Sequence, residues 1–338
     1  MKYIWRKFFG RFTPPFSDED GNEIHGSIAE LRKFKINCVD QWLMIRGKDK
    51  SKPALLFLHG GPGTGAIFYA RHYQQILEEY FVVVNWDQRG AGLSYHAEIR
   101  KQEVSIAQLI ADTIEVTRTI LQYLKKDKLY LVAHSWGTLL GTKAIQQAPE
   151  LYFAYFGIGQ VSDMPSNEVL VYGKIRNIAL SRKDKLVLKQ LEAAGKPPFT
   201  DWKKAIFIQR KIVHKYNGAM YKGNVMYFIT KNLLRATEYS WLDKIRFLQA
   251  QLFSIRRLWK PFSESSLYGN SLVFEIPVYF FLGKYDLTIL PELAEAYFDK
   301  ITAPEKQKIW FRQSAHFIPM EEVEKYQQEI IRLANLEA

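Results

Sequence analysis

Cysteine and long apolar runs are what this sequence has least of. Cys38 is the one cysteine among 338 residues, so an internal disulfide or a thiolate metal site is excluded. No segment approaches the roughly 18 consecutive apolar residues of a membrane span, and the basic, aromatic start Met1–Phe9 lacks the unbroken apolar stretch of a signal peptide. We therefore expect a cytoplasmic protein without integral membrane association. Met1–Phe9 is expected to pack on the body or fray, with contact to a membrane surface as the alternative.

Acidic residues are scarce in one part of the chain only. Residues 161–270 hold 20 Lys and Arg against 8 Asp and Glu, whereas the remainder holds 27 of each, so the net charge of +12 lies in that stretch. Clustered Lys and Arg are the electrostatic footprint of nucleic-acid binding, but no nucleic-acid motif accompanies them. We expect no nucleic-acid partner and interpret the surplus as a solvated helical surface. An anionic substrate or a membrane surface is the remaining alternative.

Short apolar runs alternate with longer helical patterns along the rest of the chain. Such runs are typical of buried parallel strands joined by crossover helices, and Ile28–Ile36 with Gln41–Arg46 indicates a leading antiparallel hairpin at the sheet edge. The predicted strands are Ala54–Leu58, Phe81–Val84, Leu129–Ala133, Pro277–Leu282 and Lys308–Phe311, and the predicted helices are Ala66–Glu79, Ile106–Lys125, Thr138–Gln147, Pro291–Lys300 and Glu321–Asn335. The pattern predicts an α/β fold with a mostly parallel sheet, whose body (1–160 and 271–338) is interrupted by a helical cap (161–270).

A lone hydroxyl stands where an apolar strand gives way to a helix, at Ser135. A serine is a weak nucleophile, and hydrolases activate it on a tight strand-to-helix turn that aims it at a base. The turn requires small residues two positions before and after the serine. Ala133 and Gly137 occupy them, although glycine is usual at both. On this segment alone, a serine that only caps the helix is the alternative.

A glycine-rich loop, His59–Gly63, follows the predicted strand Ala54–Leu58. Three of its five residues are glycines, which indicates that its backbone approaches another group closely. In acyl transfer that group is the oxyanion of the tetrahedral intermediate, held by one amide of such a loop and one from the residue after the nucleophile. Gly61 and Trp136 are the candidates for these amides. A phosphate-binding loop lacks support because its Gly-Lys-Ser/Thr ending is missing, and a plain turn is the other alternative.

A serine needs a base, and the base needs an acid that fixes its tautomer. Asp286 and His316 each follow a predicted strand late in the chain, where strand ends point into the ligand crevice of an open sheet. His59 and His134 adjoin the glycine loop and the serine, so we interpret them as structural. Asp87 is expected to pair with Arg89 and brace its own loop.

Together these motifs resemble the α/β-hydrolase superfamily, and within it the prolyl aminopeptidase branch. The resemblance spans about residues 28–335. It implies a triad of Ser135, Asp286 and His316. It also implies an oxyanion hole of Gly61 and Trp136. From the residues themselves we expect support for these loops from His59, Gly60, Pro62, Gly63, Asp87 and Arg89.

The resemblance further implies an enzyme that removes an N-terminal residue, often proline, and binds the free amine with carboxylates of the cap. The cap offers Glu168, Glu192 and Glu238, but the Glu-Asn-His-Tyr-Phe-like stretch of the family is absent, and Ala236–Trp241 is the nearest equivalent. The sequence thus predicts a serine hydrolase that needs no metal or organic cofactor and acts on a short peptide or other small molecule. A carboxylesterase or amidase for small acyl substrates and a non-catalytic ligand-binding protein remain the alternatives.

Overall fold

The computed structural model describes residues 10–335 and contains one eight-stranded sheet. Its order is β1-β2-β4-β3-β5-β6-β7-β8, with β1–β2 and β2–β4 antiparallel and every later pair parallel. The strands are β1 Ile28–Ile36, β2 Val39–Gly47, β3 Ala54–Leu58, β4 Val82–Trp86, β5 Leu129–His134, β6 Tyr152–Ile158, β7 Val278–Gly283 and β8 Lys306–Phe311. Strands β3, β4 and β7 are buried along their whole length, and apart from Asn85 in β4 and Gly283 at the end of β7 their residues are apolar or aromatic.

The leading hairpin is confirmed at the sheet edge. Asn37 and Cys38, the two residues between its strands, have φ angles of 43° and 66°. Positive φ angles at both central residues are typical of a two-residue hairpin turn, and the twist of this turn matches the twist of the paired strands. The hairpin therefore closes tightly and covers one end of the parallel sheet.

Strand β6 is absent from the predicted strands, none of which lies between Gln147 and the cap. Tyr152–Ile158 pairs with β5 on one side and β7 on the other. It is central in the sheet, and its last residue precedes the loop that carries the cap. Its sequence is a short aromatic run that follows a predicted helix, and the hydrophobic pattern of so short a run does not distinguish a strand from a helix.

Helices cover both faces of the sheet. Those of the body are α1 Ile67–Tyr73, α2 Leu77–Tyr80, α3 Ala97–Arg100, α4 Ile106–Leu124, α5 Trp136–Gln147, α11 Pro291–Lys300, α12 Ile318–Glu321 and α13 Val323–Leu333. The single helix predicted over Ala66–Glu79 is interrupted between α1 and α2. Gln327 on α13 accepts hydrogen bonds from the amides of Ile76 and Leu77, at 2.9 and 3.1 Å, which takes the place of the helical bonds there.

Five helices lie between β6 and β7: α6 Met164–Ser181, α7 Lys185–Ala194, α8 Trp202–Lys215, α9 Val225–Arg235 and α10 Trp241–Ser263. Each begins at a polar side chain that accepts a hydrogen bond from the amide three residues further on. These residues are Asp163, Asp184, Asp201, Asn224 and Ser240. Within residues 10–335, no helix is both long enough and apolar enough to cross a membrane. The predicted behaviour of Met1–Phe9 lies outside the described residues.

Candidate active site

Ser135 occupies a strained corner between β5 and α5. Its φ of 55° and ψ of −122° lie outside the regions that a side chain ordinarily allows. Its amide donates to the carbonyl of Ile158 at 2.8 Å, which anchors the corner to β6. Within residues 10–335 its hydroxyl makes no capping bond to α5. The helix-cap interpretation of this serine therefore lacks the bond on which it depends.

Small residues leave room for this corner. A Cβ on Gly137 would lie 2.6 Å from the carbonyl oxygen of Leu58 and 2.8 Å from that of His59. Ala133 carries a methyl group where glycine is usual. That methyl faces Gly141, on which a Cβ would lie only 3.2 Å away, so the missing side chain of Gly141 accommodates it.

Asp286 and His316 form a buried pair. His316 Nδ1–H donates to Asp286 Oδ2 at 2.7 Å, and both residues are almost entirely buried. The other carboxylate oxygen accepts from the amides of Thr288 and Ile289, at 2.7 and 2.9 Å. These bonds hold the carboxylate in place and leave Nε2 of His316 as the ring nitrogen available to a partner.

The imidazole of His316 lies beside the serine corner. Gly159 has a φ of 55°, and a Cβ there would stand 3.0 Å from His316 Cε1. Ile158, the residue before it, accepts the amide of Ser135. His134 Nε2–H donates to the carbonyl of His316 at 2.9 Å, and the two rings lie 4.8 Å apart. The structure thus brings Ser135, Asp286 and His316 to one edge of the sheet.

The glycine loop lies against the serine. A Cβ on Gly60 would be 3.2 Å from that of Ser135. Gly61 has a φ of 131°, and a Cβ there would be 2.4 Å from the amide nitrogen of Gly63, so the position accepts only glycine. Trp136 is the first residue of α5, and its amide therefore has no partner within the helix. The amide of Trp136, next to Ser135 in the chain, and the loop that carries Gly61 thus both lie beside the serine.

Buried polar side chains fix the shape of this loop. The amide of Gln88 donates to His59 Nε2 at 3.1 Å, so the proton is on Nδ1, which donates to the carbonyl of Gly60 at 2.7 Å. Burial lowers the pKa of His59 to about 4, and the ring is neutral. Gln88 also donates to the His59 carbonyl and accepts from Trp136 Nε1, both at 3.0 Å. Gln88 is not among the predicted site residues, although it lies between Asp87 and Arg89.

The predicted pair of Asp87 and Arg89 is wrong. Arg89 donates to Asp112 on α4 through two nitrogens, at 2.6 and 2.9 Å. Asp112 is fully buried and also accepts from Asn37 and Gln41. A carboxylate so deep in the body requires several donors, and the guanidinium supplies two in one planar fork.

Asp87 instead bridges the loops around the site to the cap. One oxygen accepts the amide of Ala66 at 3.0 Å, and the other accepts the amide of Leu93 at 2.8 Å and the hydroxyl of Tyr239. Burial raises the pKa of Asp87, which these donors oppose. Both its position and its burial agree with a bracing role, but through backbone amides rather than through Arg89.

The cap also contacts the histidine loop. The amide of His316 donates to the carbonyl of Ala219 at 2.9 Å. Glu321 accepts the amide of Ala315 at 2.8 Å with one oxygen and the amide of Tyr221 with the other. One carboxylate therefore holds the cap and the histidine loop together. Sequence reasoning missed Glu321, whose only signal was a position shortly after His316.

Few cap carboxylates are free for a ligand. Four of the cap's eight acids cap helices or form a capping box: Asp163, Asp184, Asp201 and Asp243. Glu192 and Glu264 are exposed. Glu168 and Glu238 are buried, and each already has an arginine partner: Arg210 at 3.2 Å and Arg71 at 3.0 Å.

Glu168 is linked to the Asp286–His316 pair more directly than Glu238 is. Its partner Arg210 also donates to the carbonyl of Thr288 at 3.3 Å, and the amide of Thr288 donates to Asp286. His214, one turn further along α8, is exposed at the surface, and partial desolvation, Arg210 and His316 lower its pKa in that order. Among the described residues, no three His, Cys, Asp or Glu side chains are grouped as a metal site would require.

Comparisons with known proteins agree on the fold. A family profile described as alpha/beta hydrolase fold matches residues 53–323. A protein of Bacillus subtilis (strain 168) named "Probable aminopeptidase" is 38% identical over 299 residues, which cover 88% of this chain and 93% of that relative.

Solved structures give the same picture. Proline iminopeptidase of Mycobacterium smegmatis superposes with a TM-score of 0.69 at 16% identity, covering 90% of this chain and 97% of that one. An esterase of Exiguobacterium antarcticum superposes with a TM-score of 0.59 at 16% identity, covering 90% of this chain and 99% of that one. At identities this low, the two structures support the assignment of the fold and nothing more.

Proposed function

We propose, from the premise that the chain belongs to the alpha/beta hydrolase family, that it is a serine hydrolase that removes the N-terminal residue from short peptides. The observation that carries the proposal is the strained Ser135 corner beside the buried Asp286–His316 pair. The 38% identity to a relative named as an aminopeptidase, over most of both chains, supports the choice of substrate.

The reaction begins with proton transfer. His316 Nε2 takes the proton of Ser135 Oγ as that oxygen attacks the carbonyl carbon of the first peptide bond. Amides of Gly61 and Trp136 donate to the oxyanion that forms. Asp286 stays ionised and stabilises the imidazolium of His316, the role for which its bond to Nδ1 suits it.

The tetrahedral intermediate then collapses. The C–N bond breaks, and His316 returns the proton to the departing amine, leaving the N-terminal residue as an ester on Ser135. Water gives a proton to His316, attacks the ester and releases the free amino acid, after which Ser135 recovers its proton. The proposed reaction consumes only water and requires no cofactor.

A buried carboxylate holds the free amine of the substrate. Glu168 is the first candidate because Arg210 and Thr288 connect it to Asp286. Glu238 is the second, and its neighbour Tyr239 donates to Asp87 beside the glycine loop. Glu192 is exposed and serves as the reference position.

An esterase or amidase for small acyl substrates is the second candidate function. The observation that favours it is that Glu168 and Glu238 are each bonded to an arginine. An ammonium group would have to displace that partner, whereas an acyl substrate without a charged amine needs only an apolar pocket.

Two matched substrates distinguish these functions. Prolyl arylamide has a free amine, and N-acetylprolyl arylamide has the same leaving group without it. We expect kcat/KM on the free amine to exceed that on the blocked one by about a hundredfold, because hydrogen bonds between charged groups are worth about 1.5–3 kcal/mol and about 1.4 kcal/mol is a factor of ten. Equal rates, or cleavage of short acyl esters only, would favour the esterase. Ser135→Ala must remove either activity, since residual hydrolysis would come from a contaminant.

Substitution of the glutamates identifies the amine site. Glu168→Gln and Glu238→Gln keep the side-chain shape and remove the charge, and Glu192→Gln is the exposed control. We expect one buried variant to raise KM for prolyl arylamide at least about tenfold and leave ester hydrolysis unchanged. If neither does so while both keep the melting temperature of the wild type, the aminopeptidase proposal loses its amine site.

A fluorophosphonate probe tests for catalysis of any kind. It labels a serine only where a base and an oxyanion hole activate it. Labelling of the wild type and not of Ser135→Ala is expected. A wild type that stays unlabelled beside an active hydrolase would support a non-catalytic binding protein on this fold.

A further inference from the structure

Helix α10 is apolar on two opposite sides. Its inner side, with Phe247, Ala250 and Ser254, packs on the body, where Ser254 donates to the carbonyl of Gly90 at 3.1 Å. Its outer side carries Trp241, Leu242, Ile245 and Leu248, here called the outer stripe. Spacings of three, four and seven residues place the stripe on one face of a helix with 3.6 residues per turn.

The outer stripe is open to solvent in the described part of the chain. Ile245 is 70% exposed and Leu248 is 60% exposed. Helix α9 extends the apolar surface with Met226, Tyr227 and Leu234, which lie on one side of that helix and are also exposed. Lys244 donates to the carbonyl of Leu234 at 3.1 Å, which joins the two helices at this corner. Contiguous apolar surface of this kind marks an interaction site.

The charge around the stripe has one sign. Helices α9 and α10 carry seven cations: Lys231, Arg235, Lys244, Arg246, Arg256, Arg257 and Lys260. Their single acid, Asp243, is buried and bonded to Arg11. Within residues 10–335, none of the seven cations forms an ion pair. A partner that fits this face therefore has negatively charged groups next to an apolar region.

Arg11 and Phe12 are bound to the cap beside the start of α10. Besides the Arg11 bond to Asp243, the amide of Phe12 donates to the carbonyl of Thr237 at 3.2 Å. The sequence that precedes these residues, Met1–Phe9, has three cations, four aromatic residues and no acid. Its composition therefore repeats that of the outer stripe.

From these observations we propose that the outer stripe and its cations form a docking surface for an anionic lipid bilayer. Apolar side chains enter the boundary between headgroups and acyl chains, and the cations lie among the lipid phosphates. Trp241 and Tyr227 are the residue types that favour this boundary. A second copy of the chain is a poorer occupant because it would oppose seven cations to seven. The surface lies across α10 from the glycine loop, so docking does not depend on the proposed reaction.

Flotation with vesicles tests the proposal on the full-length protein. The vesicles contain phosphatidylcholine alone or an equal mixture with phosphatidylglycerol. The test variant is Ile245→Gln with Leu248→Gln, in which glutamine keeps the helix propensity. The control is Val273→Gln, at a position 61% exposed on the body. We expect binding to the anionic vesicles, a partition coefficient at least about tenfold lower for the double variant, and no change for the control.

Other outcomes overturn the proposal. Equal binding by wild type and double variant would mean that another surface holds the lipid. Equal binding to both vesicle types would exclude a role of the cations. If the cations do contribute, binding to the anionic vesicles must also weaken at high salt concentration. Self-association by light scattering that the double variant abolishes, without vesicle binding, would assign the stripe to a second copy. An unchanged melting temperature excludes unfolding as the cause.

Discussion

At the scale of single residues, the site depends on positions where a side chain is missing. Gly137 lets α5 begin against the carbonyls of Leu58 and His59, and Gly159 makes room for the ring of His316. Gly141 accepts the methyl group of Ala133, which explains how this turn departs from the two-glycine pattern. Each of these glycines is required by a specific neighbour and not by flexibility in general.

Substitution of glycine by alanine separates close approach from helix propensity. Gly137→Ala places a Cβ 2.6 Å from a carbonyl oxygen, so we expect a loss of about 3 kcal/mol in the free energy of unfolding and a loss of hydrolase activity. Gly173→Ala in α6 meets no atom within 4 Å and should gain about 0.5–1 kcal/mol. Urea denaturation measures both. Equal stability of the two variants would contradict the steric account.

At the scale of elements, two of the contacts that attach the cap to the body reach the histidine loop. Glu321 accepts amides from both the cap and the histidine loop, and Ala219 accepts the amide of His316. Burial raises the pKa of Glu321, whereas the amides that it accepts lower it. A displacement of the cap would therefore act on His316 through the backbone amides of Ala315 and His316.

Replacing this carboxylate tests that link. Glu321→Gln has one accepting oxygen where two are needed, so one amide of the pair loses its partner, at a cost of about 1–3 kcal/mol in the free energy of unfolding. We also expect kcat to fall with little change in KM, because the histidine loop and not the pocket is affected. Glu324→Gln, exposed one turn away, is the control. A normal kcat in the Glu321→Gln variant would show that the cap bond does not position His316.

At the scale of the whole molecule, two buried histidines make stability depend on pH. Burial lowers the pKa of His59 to about 4, and burial together with His316 lowers that of His134 to about 3, against an ordinary value near 6.5. The unfolded chain therefore binds more protons as the pH falls below 6.5. The stability present above pH 6.5 is lost progressively toward pH 4, by about 1.4 kcal/mol per pH unit for each histidine.

His134→Gln isolates one of these contributions. Glutamine keeps a donor for the carbonyl of His316 but does not titrate. We expect the slope of unfolding free energy against pH, measured in urea between pH 6 and 4.5, to decrease by about 1.4 kcal/mol per unit. His25→Gln, at an exposed position, should keep the slope of the wild type. An unchanged slope in the His134 variant would mean that burial does not lower the pKa of this ring, which would then take up its proton over the same pH range in the folded and unfolded states.

Most of the body follows from local sequence. The five predicted parallel strands lie near the observed bounds, because short apolar runs between turn residues indicate buried or half-buried strands. Strand β6 was missed since its aromatic run is ambiguous by itself, and the break between α1 and α2 was missed since it depends on Gln327, about 250 residues away. The candidate triad and the glycine loop were predicted from motifs whose spacing is local.

The sequence by itself determined where a serine, a glycine loop, an acid and a histidine stand at the ends of strands, because a motif of a few residues encodes each of them. Only the tertiary structure decided which charges meet. Arg89 pairs with Asp112 and not with Asp87, and Glu321 joins the cap to the histidine loop. The reason is physical: a buried charge takes whichever donors the fold brings within about 3 Å, and those donors are distant in the chain.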